Sequence, residues 1–315
     1  MRQQRPGSIS SMPLLIVITG ATASGKTSLA IETARHLGCD IISADSRQVY
    51  RGMPIGTAAP TPAELAAVPH HLVGFLDPGD YYSASRFEAD ALHLLDDQWR
   101  RSPVAIVAGG SMMYIDALTD GLDELPTISP EVRERVRDIQ AQHGSEGLLA
   151  YLDNLDPATA ATVDRANTRR VMHAIEICLQ AGRPYSSLIG ESRPPRPFDI
   201  LKVAIDMPRE CLFDRINRRV DAMVAAGLVD EARRLYPLRH LNALNTVGYK
   251  ELFAYFDGAM PLDAAIARIA KNTRVYAKKQ LTWLRRPGAR PTVWLPADTA
   301  ADRLMELVRN SIPIP

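Results

Sequence analysis

Short, uninterrupted apolar runs recur along this chain. LLIVIT (14–19), DIISA (40–44), VAIVA (104–108), LKVAI (201–205) and TVWL (292–295) are rich in β-branched residues. A strand buried on both faces of a parallel sheet needs runs of this kind. Helical patterns separate them. Leu29, Ala30, Thr33, Ala34 and Leu37 mark one side of a helix over 27–37, and a longer pattern covers 84–101. Strands alternating with helices predict βαβ units with right-handed crossovers. The strand signal vanishes between Pro126 and Asp199, where helical periodicity covers 130–142, 146–152 and 169–180. Gly182-Arg183-Pro184 is a helix stop, and the proline-rich SRPPRPF reads as a return linker. The expected fold is an α/β parallel sheet core flanked by helices, residues 13–125 and 200–315, with an inserted all-helical domain over 126–199. Residues 1–12 are expected to form a disordered N-terminal extension.

Composition changes this picture little. Apolar residues make up 46% and charged residues 23% of 315 positions, so a large core can be buried and general disorder is excluded. No apolar run reaches the roughly 18 residues that a membrane span needs. The three cysteines, Cys39, Cys178 and Cys211, are far apart, which excludes a disulfide framework and any CxxC metal site. They fit a reducing compartment, and a cytoplasmic monomer is expected. Charge changes the picture more. The net charge of +1 hides 9 Lys and Arg against 14 Asp and Glu over 1–125, and 19 against 12 over 200–315. Arg268 to Arg290 holds eight basic residues and no acidic one, which points to a polyanionic partner.

The candidate chemistry sits where strands end. Gly20-Ala21-Thr22-Ala23-Ser24-Gly25-Lys26-Thr27 matches GxxxxGK[ST] between an expected strand and an expected helix, the context that gives the motif meaning. Glycines let the backbone wrap a phosphate, and the loop amides with the helix N-terminus supply positive potential. Lys26 can neutralise terminal phosphate oxygens, and the Thr27 hydroxyl can hold Mg²⁺. After the second strand comes Asp45-Ser46-Arg47-Gln48. The phosphate loop is expected at the end of the neighbouring strand, so Asp45 is expected to face the phosphate site across the crevice at the carboxyl ends. Asp45 could bind a metal, hold a substrate group or accept a proton; equally, it could cap a turn. Gly109-Gly110-Ser111 stands at the end of VAIVA in the same way, as a close-approach loop or a plain turn.

GATASGKT, ISADSRQVYRGMPIGTA, HHLVGFLDP, YSASRFEADA, VAGGSMMYIDAL, TVGYKEL and TRVYAKKQLTWLRR occur in this order. Together they resemble the tRNA dimethylallyltransferase family, the isopentenyl-diphosphate:tRNA transferases, in its bacterial form without a zinc finger. The resemblance spans about Pro13 to Arg286. It departs at Ala21, where the family has proline, and at Ala59, where it has lysine. Ser111 replaces a threonine, and His173 an arginine.

The resemblance implies transfer of a dimethylallyl group from dimethylallyl diphosphate to the exocyclic amine of the adenosine 3′ of the anticodon. Residues 20–27 with Mg²⁺ then cradle the leaving diphosphate. Asp45 takes the amine proton, and Arg219 reaches the diphosphate, with Arg215 and Arg218 as rival positions. Ser111 holds the adenine edge. Asp45, Ser46, Arg47, Gln48, Thr246, Gly248 and Lys250 are implied to meet the RNA near the target. Lys278, Lys279, Gln280, Trp283 and Arg285 do so along the basic segment, and Arg133, Arg169, Arg170 and His173 from the insertion. An extruded target base is also implied, because an enzyme acting on a stacked base must draw it out. The other reading of the same loop is an ATP-dependent kinase of a small molecule, which leaves Arg268–Arg290 without a purpose.

Overall fold

The computed structural model describes residues 12–123, 125–190, 193 and 195–311. Apart from Met12, the N-terminal stretch expected to be disordered lies outside them. In chain order the elements are β1 (Leu14–Thr19), α1 (Lys26–Leu37), β2 (Ile41–Ala44), α2 (Pro62–Ala67), β3 (His70–His71), α3 (Ala84–Trp99), β4 (Val104–Gly109) and α4 (Met112–Asp120). Then follow α5 (Pro130–Leu155), α6 (Pro157–Thr162), α7 (Thr168–Ala181), β5 (Asp199–Asp206), α8 (Arg209–Ala225) and α9 (Leu228–Leu235). The chain closes with α10 (Tyr249–Phe256), α11 (Leu262–Leu284), β6 (Val293–Pro296) and α12 (Ala300–Ser311).

Six parallel strands lie in the order β3-β2-β4-β1-β5-β6. The continuous apolar runs have a direct cause. Leu15 and Val17 of β1 join one core layer, with Phe87 and Leu95 of α3 and Ile115 and Leu118 of α4. Leu14, Ile16 and Ile18 join the other, with Leu29 and Ala34 of α1 and Leu304 and Val308 of α12. Burying each such side chain contributes about 1.5–3 kcal/mol, so truncating Ile16 to Ala should cost about 2–5 kcal/mol.

Two expectations need correction. β2 does not neighbour β1: β4 lies between them, in register with both. The apolar runs carry no information on lateral order, because every central strand looks alike. Strand β3 was not expected; two residues pairing with Ile41 and Ile42 leave no periodicity to see.

Residues Gly121–Pro195 form a separate compact unit, starting before Pro126 and ending before Asp199. Its core gathers Val136, Leu148, Leu152, Val171 and Ile175. Helix α5 is broken at Gly144 (φ 63°, ψ −163°), which accounts for two separate periodic stretches in the sequence. Helix α7 stops at Gly182, whose φ of 66° suits glycine. Asp156 is buried, which would raise its pKa, but Thr159 and Ser186 each donate two hydrogen bonds and bring it down to about 2. Among the described residues no helix is long and apolar enough to cross a membrane.

Candidate active site

The loop between β1 and α1 turns through three positive φ angles, at Gly20 (138°), Ala23 (64°) and Gly25 (106°). Glycine takes these conformations freely, whereas alanine at position 23 carries strain of roughly 1–2 kcal/mol. The Lys26 ammonium donates to the Ala21 carbonyl at 2.7 Å, so the lysine closes the loop on itself. Burial, with the Arg219 charge nearby, lowers its pKa to about 8, and Asp45 opposes the shift. Helix α1 begins with no side-chain cap. Its first-turn amides are thus available to an anion.

The rim beyond β4 is held by close contacts. A Cβ on Gly109 would lie 2.1 Å from the Ala44 carbonyl oxygen, and one on Gly110 would lie 2.4 Å from Gln280 Nε2. Glycine lets the β4 and β2 backbones meet at position 109, and at 110 it leaves room for the Gln280 amide. Ser111 N donates to Ala44 O at 3.1 Å, and Ser111 Oγ accepts from Ser46 N at 2.8 Å. Asp45 Oδ1 accepts from the amides of Arg47 and Gln48 at 2.9 and 3.3 Å. The turn-capping reading of Asp45 is therefore true of one oxygen, and the carboxylate still lines the cavities beside it.

Two adjoining cavities open at these strand ends. Lys26, Thr27 and Gly110 line the first; Arg47, Thr246, Gly248 and Lys250 line the second, together with apolar Val220, Met223 and Ile269. Thr22, Asp45, Arg219 and Tyr276 line both. Burial lowers the Arg219 pKa, while the charges of Asp45 and Glu64 support it; the guanidinium remains charged. The choice among three arginines of α8 is thus narrowed by geometry. Arg215 and Arg218 flank the outside of the loop with Arg219, and only Arg219 reaches the cavities shared with Asp45.

Several residues expected to touch RNA are engaged within the protein. Gln280 is buried, accepting from Thr22 N at 2.8 Å and donating to Gly110 O at 2.9 Å, so it ties the phosphate loop to the β4 rim. Gln48 Nε2 donates to the carbonyls of Thr57 and Ala58 at 3.2 and 3.0 Å. The Arg47 guanidinium donates to Asn242 O at 2.8 Å. Trp283 lies between Lys202, 4.8 Å from its ring centroid, and Arg286 at 4.2 Å. Arg285 sits over Trp294 at 4.5 Å and pairs with Asp206 at 3.5 Å. Sequence spacing does not reveal the partners of Gln280 and Arg47, which lie 170 or more residues away along the chain. Lys278 and Lys279 are exposed, and Lys278 lies over Phe213 at 5.6 Å. In the helical unit Arg133, Arg169, Arg170 and His173 are exposed, and His173 is 3.8 Å from Glu176.

Sequence reasoning passed over three residues. Tyr276 lines both cavities. Glu231 is fully buried and accepts from Ile55 N, Gly56 N and Tyr249 Oη at 2.9, 2.8 and 2.7 Å, fixing the loop that carries Thr57. Arg286 chelates Asp116 with two bonds of 2.8 Å. A glutamate at the start of α9 and a tyrosine in a basic run carry no distinguishing pattern. The GYKE motif was the available signal for the Tyr249 partnership.

A parallel sheet whose strand ends gather a lysine-bearing glycine loop, a carboxylate and a half-buried arginine defines an α/β protein with its candidate site at the carboxyl edge of the sheet. Residues 48–287 match the family described as IPP transferase, and residues 13–77 match isopentenyl transferase. The chain belongs to the IPP transferase family. It is 51% identical over 278 residues to tRNA dimethylallyltransferase 2 of Parabacteroides distasonis, covering 87% of this chain and 92% of that one. It is 48% identical to tRNA dimethylallyltransferase 1 of Phocaeicola vulgatus, covering 94% and 98%. Among solved structures, the tRNA isopentenylpyrophosphate transferase of Bacillus halodurans is similar at TM-score 0.70 and 33% identity, covering 95% of this chain and 96% of that one. A eukaryotic dimethylallyltransferase acting on tRNA reaches TM-score 0.83 at 27% identity, covering 96% and 81%.

Proposed function

We propose that this chain transfers the dimethylallyl group of dimethylallyl diphosphate to the exocyclic amine (N6) of the adenosine 3′-adjacent to the tRNA anticodon. The C1–O bond to diphosphate breaks, an N6–C1 bond forms, and the amine loses one proton. The observation that carries this reading is the convergence of Thr22, Asp45 and Arg219 on both adjoining cavities. The loop 20–27 and Arg219 hold the departing diphosphate and stabilise its growing charge. Asp45, with Oδ1 fixed by two amides, accepts the amine proton and passes it to solvent. Ser111, which sets Ser46 in place, keeps that turn in register.

Mg²⁺ fits this donor set only as an ion carried by the diphosphate. Thr27 and Asp45 offer hard oxygens, but among the described residues no three His, Cys, Asp or Glu side chains cluster. Mg²⁺ bound there would offset the diphosphate charge. Lys278, Lys279 and Lys250, with Arg133, Arg169, Arg170 and His173 of the helical unit, are the exposed or cavity-lining cations offered to the anticodon stem-loop. The protein acts as a cytoplasmic monomer in this reading. The kinase alternative has no support among the named relatives. The deciding assay supplies an anticodon stem-loop with labelled dimethylallyl diphosphate, and separately ATP. Prenylated RNA with diphosphate release is expected; γ-phosphoryl transfer without prenylation would overturn the reading.

A further inference from the structure

Among the described residues Tyr276 is the one aromatic side chain lining the cavity that holds Thr246 and Lys250, and it also lines the phosphate-loop cavity. It projects from α11 two turns after the buried Ile269 and next to the buried Ala277, yet it keeps 38% of its surface exposed. Its hydroxyl points to the Gly110 carbonyl at 3.5 Å, a weak contact that orients the ring without holding it tightly. Among the described residues its ring takes part in no aromatic pair and no cation–π contact, although such partnerships occur throughout the rest of the molecule. Burial, and then the Asp45 charge, push its phenol up to about 12, so the ring is neutral and within electrostatic reach of that carboxylate.

An unpartnered aromatic face beside a proton acceptor is what a flat heterocycle lacks once it is drawn out of its own stack. Base–aromatic stacking contributes about 1–3 kcal/mol per base and needs no hydrogen-bond code. We propose that Tyr276 is the stacking platform for the reacting purine, holding its plane so that the exocyclic amine meets Asp45. This rests on the proposed prenyl transfer to tRNA and adds the residue that positions the base. The aliphatic alternative, a ring that packs against the prenyl chain, fits less well: Tyr276 is partly open to solvent, whereas Val220 and Met223 supply apolar lining in the same cavity.

The test compares Tyr276→Phe and Tyr276→Leu with the wild type, using an anticodon stem-loop RNA. Tyr276→Leu should raise KM for RNA about ten-fold, by the stacking energy above, with KM for dimethylallyl diphosphate unchanged. Tyr276→Phe should stay within about two-fold of wild type. A second measurement places 2-aminopurine at the target position. Its fluorescence should be quenched on binding the wild type or the Tyr276→Phe variant, and enhanced on binding Tyr276→Leu. Equal quenching in all three would overturn the proposal, as would a Tyr276→Leu defect confined to kcat and the prenyl donor. If the wild type prenylates no RNA at all, the proposed function fails instead, and the two failures are distinct.

Discussion

Helix α11 and the stretch that follows it carry the same kind of side chain and use it in opposite ways. Up to Lys279, Lys271, Lys278 and Lys279 are exposed, and among the described residues none lies within ion-pair distance of a carboxylate. Past Trp283, Arg285 meets Asp206, Arg286 meets Asp116 and Arg290 meets Asp120, the last two at 2.8 and 3.0 Å. A stretch with no acidic residue of its own thus has three of its eight basic residues answered by α4 and β5. Beneath it lies Lys202, buried in the middle of β5 with its ammonium over Trp283 and, among the described residues, no hydrogen-bond partner. Burial lowers its pKa, and Asp116 and Asp120 hold it up. Charge answered from within stabilises the fold, whereas the lysines of α11 find no such answer among the described residues.

The strand ends extend that contrast to the carboxylates. Asp116 and Asp120 are paired with arginines, whereas among the described residues Asp45 accepts only backbone amides. Asp45→Ala should therefore give the largest effect, a fall in kcat of about 10²–10⁴-fold, the usual contribution of a positioned base. RNA affinity and the thermal midpoint should stay close to wild type. Single-turnover prenylation with saturating RNA measures it. A kcat within ten-fold of wild type would leave Asp45 as a turn residue alone.

Arg286→Ala should act on the other side of the contrast. It removes two bonds to a half-buried Asp116 and the cover over Trp283, a loss of about 1–3 kcal/mol. Denaturant unfolding should report that loss, while the salt dependence of RNA binding keeps its slope. A shallower slope with unchanged stability would reverse the assignment.

How much of this was legible follows from how local each signal is. The phosphate loop and the helix break at Gly144 are written in neighbouring residues, as are the helix stop at Gly182 and the strands with buried faces. Gln280 reads as an RNA contact because it stands between lysines and a tryptophan. Its partners, Thr22 and Gly110, come from the other end of the chain. Arg286 is hidden for the same reason, since Asp116 lies on α4. The place of β4 between β1 and β2 depends on lateral pairing, which apolar runs do not encode.

The unanswered lysines give a smaller, graded effect. Replacing Lys278 and Lys279 together with Ala should flatten the slope of log affinity against log salt by up to about two contacts' worth. Every tRNA substrate should weaken alike, and dimethylallyl diphosphate binding should hardly change. Filter binding of a stem-loop across salt concentrations decides it. An unchanged slope would make the first part of α11 a solvated face and move the docking surface elsewhere.

The smallest effect lies in the phosphate loop and sharpens what an unanswered charge means there. Burial lowers the Lys26 pKa to about 8 in the free protein, so its ammonium begins to be lost at mildly alkaline pH. A bound diphosphate favours the charged form, and a lysine already neutral must take up a proton before it can pair. Affinity for dimethylallyl diphosphate should therefore be steady below pH 7 to 8 on the lysine's account and fall above it. With a pKa of about 8, roughly a quarter of the free protein is charged at pH 8.5, which predicts a weakening of about four-fold. The donor's own phosphate ionisation, near 6, is complete before that range and cannot cause the fall. Lys26→Arg keeps its charge throughout, so its affinity should be flat from pH 7 to 9 even if it is lower. Calorimetric titration of the donor without RNA gives both curves. A wild-type affinity flat to pH 9, or an equal fall in Lys26→Arg, would show that the Lys26 charge does not govern donor binding.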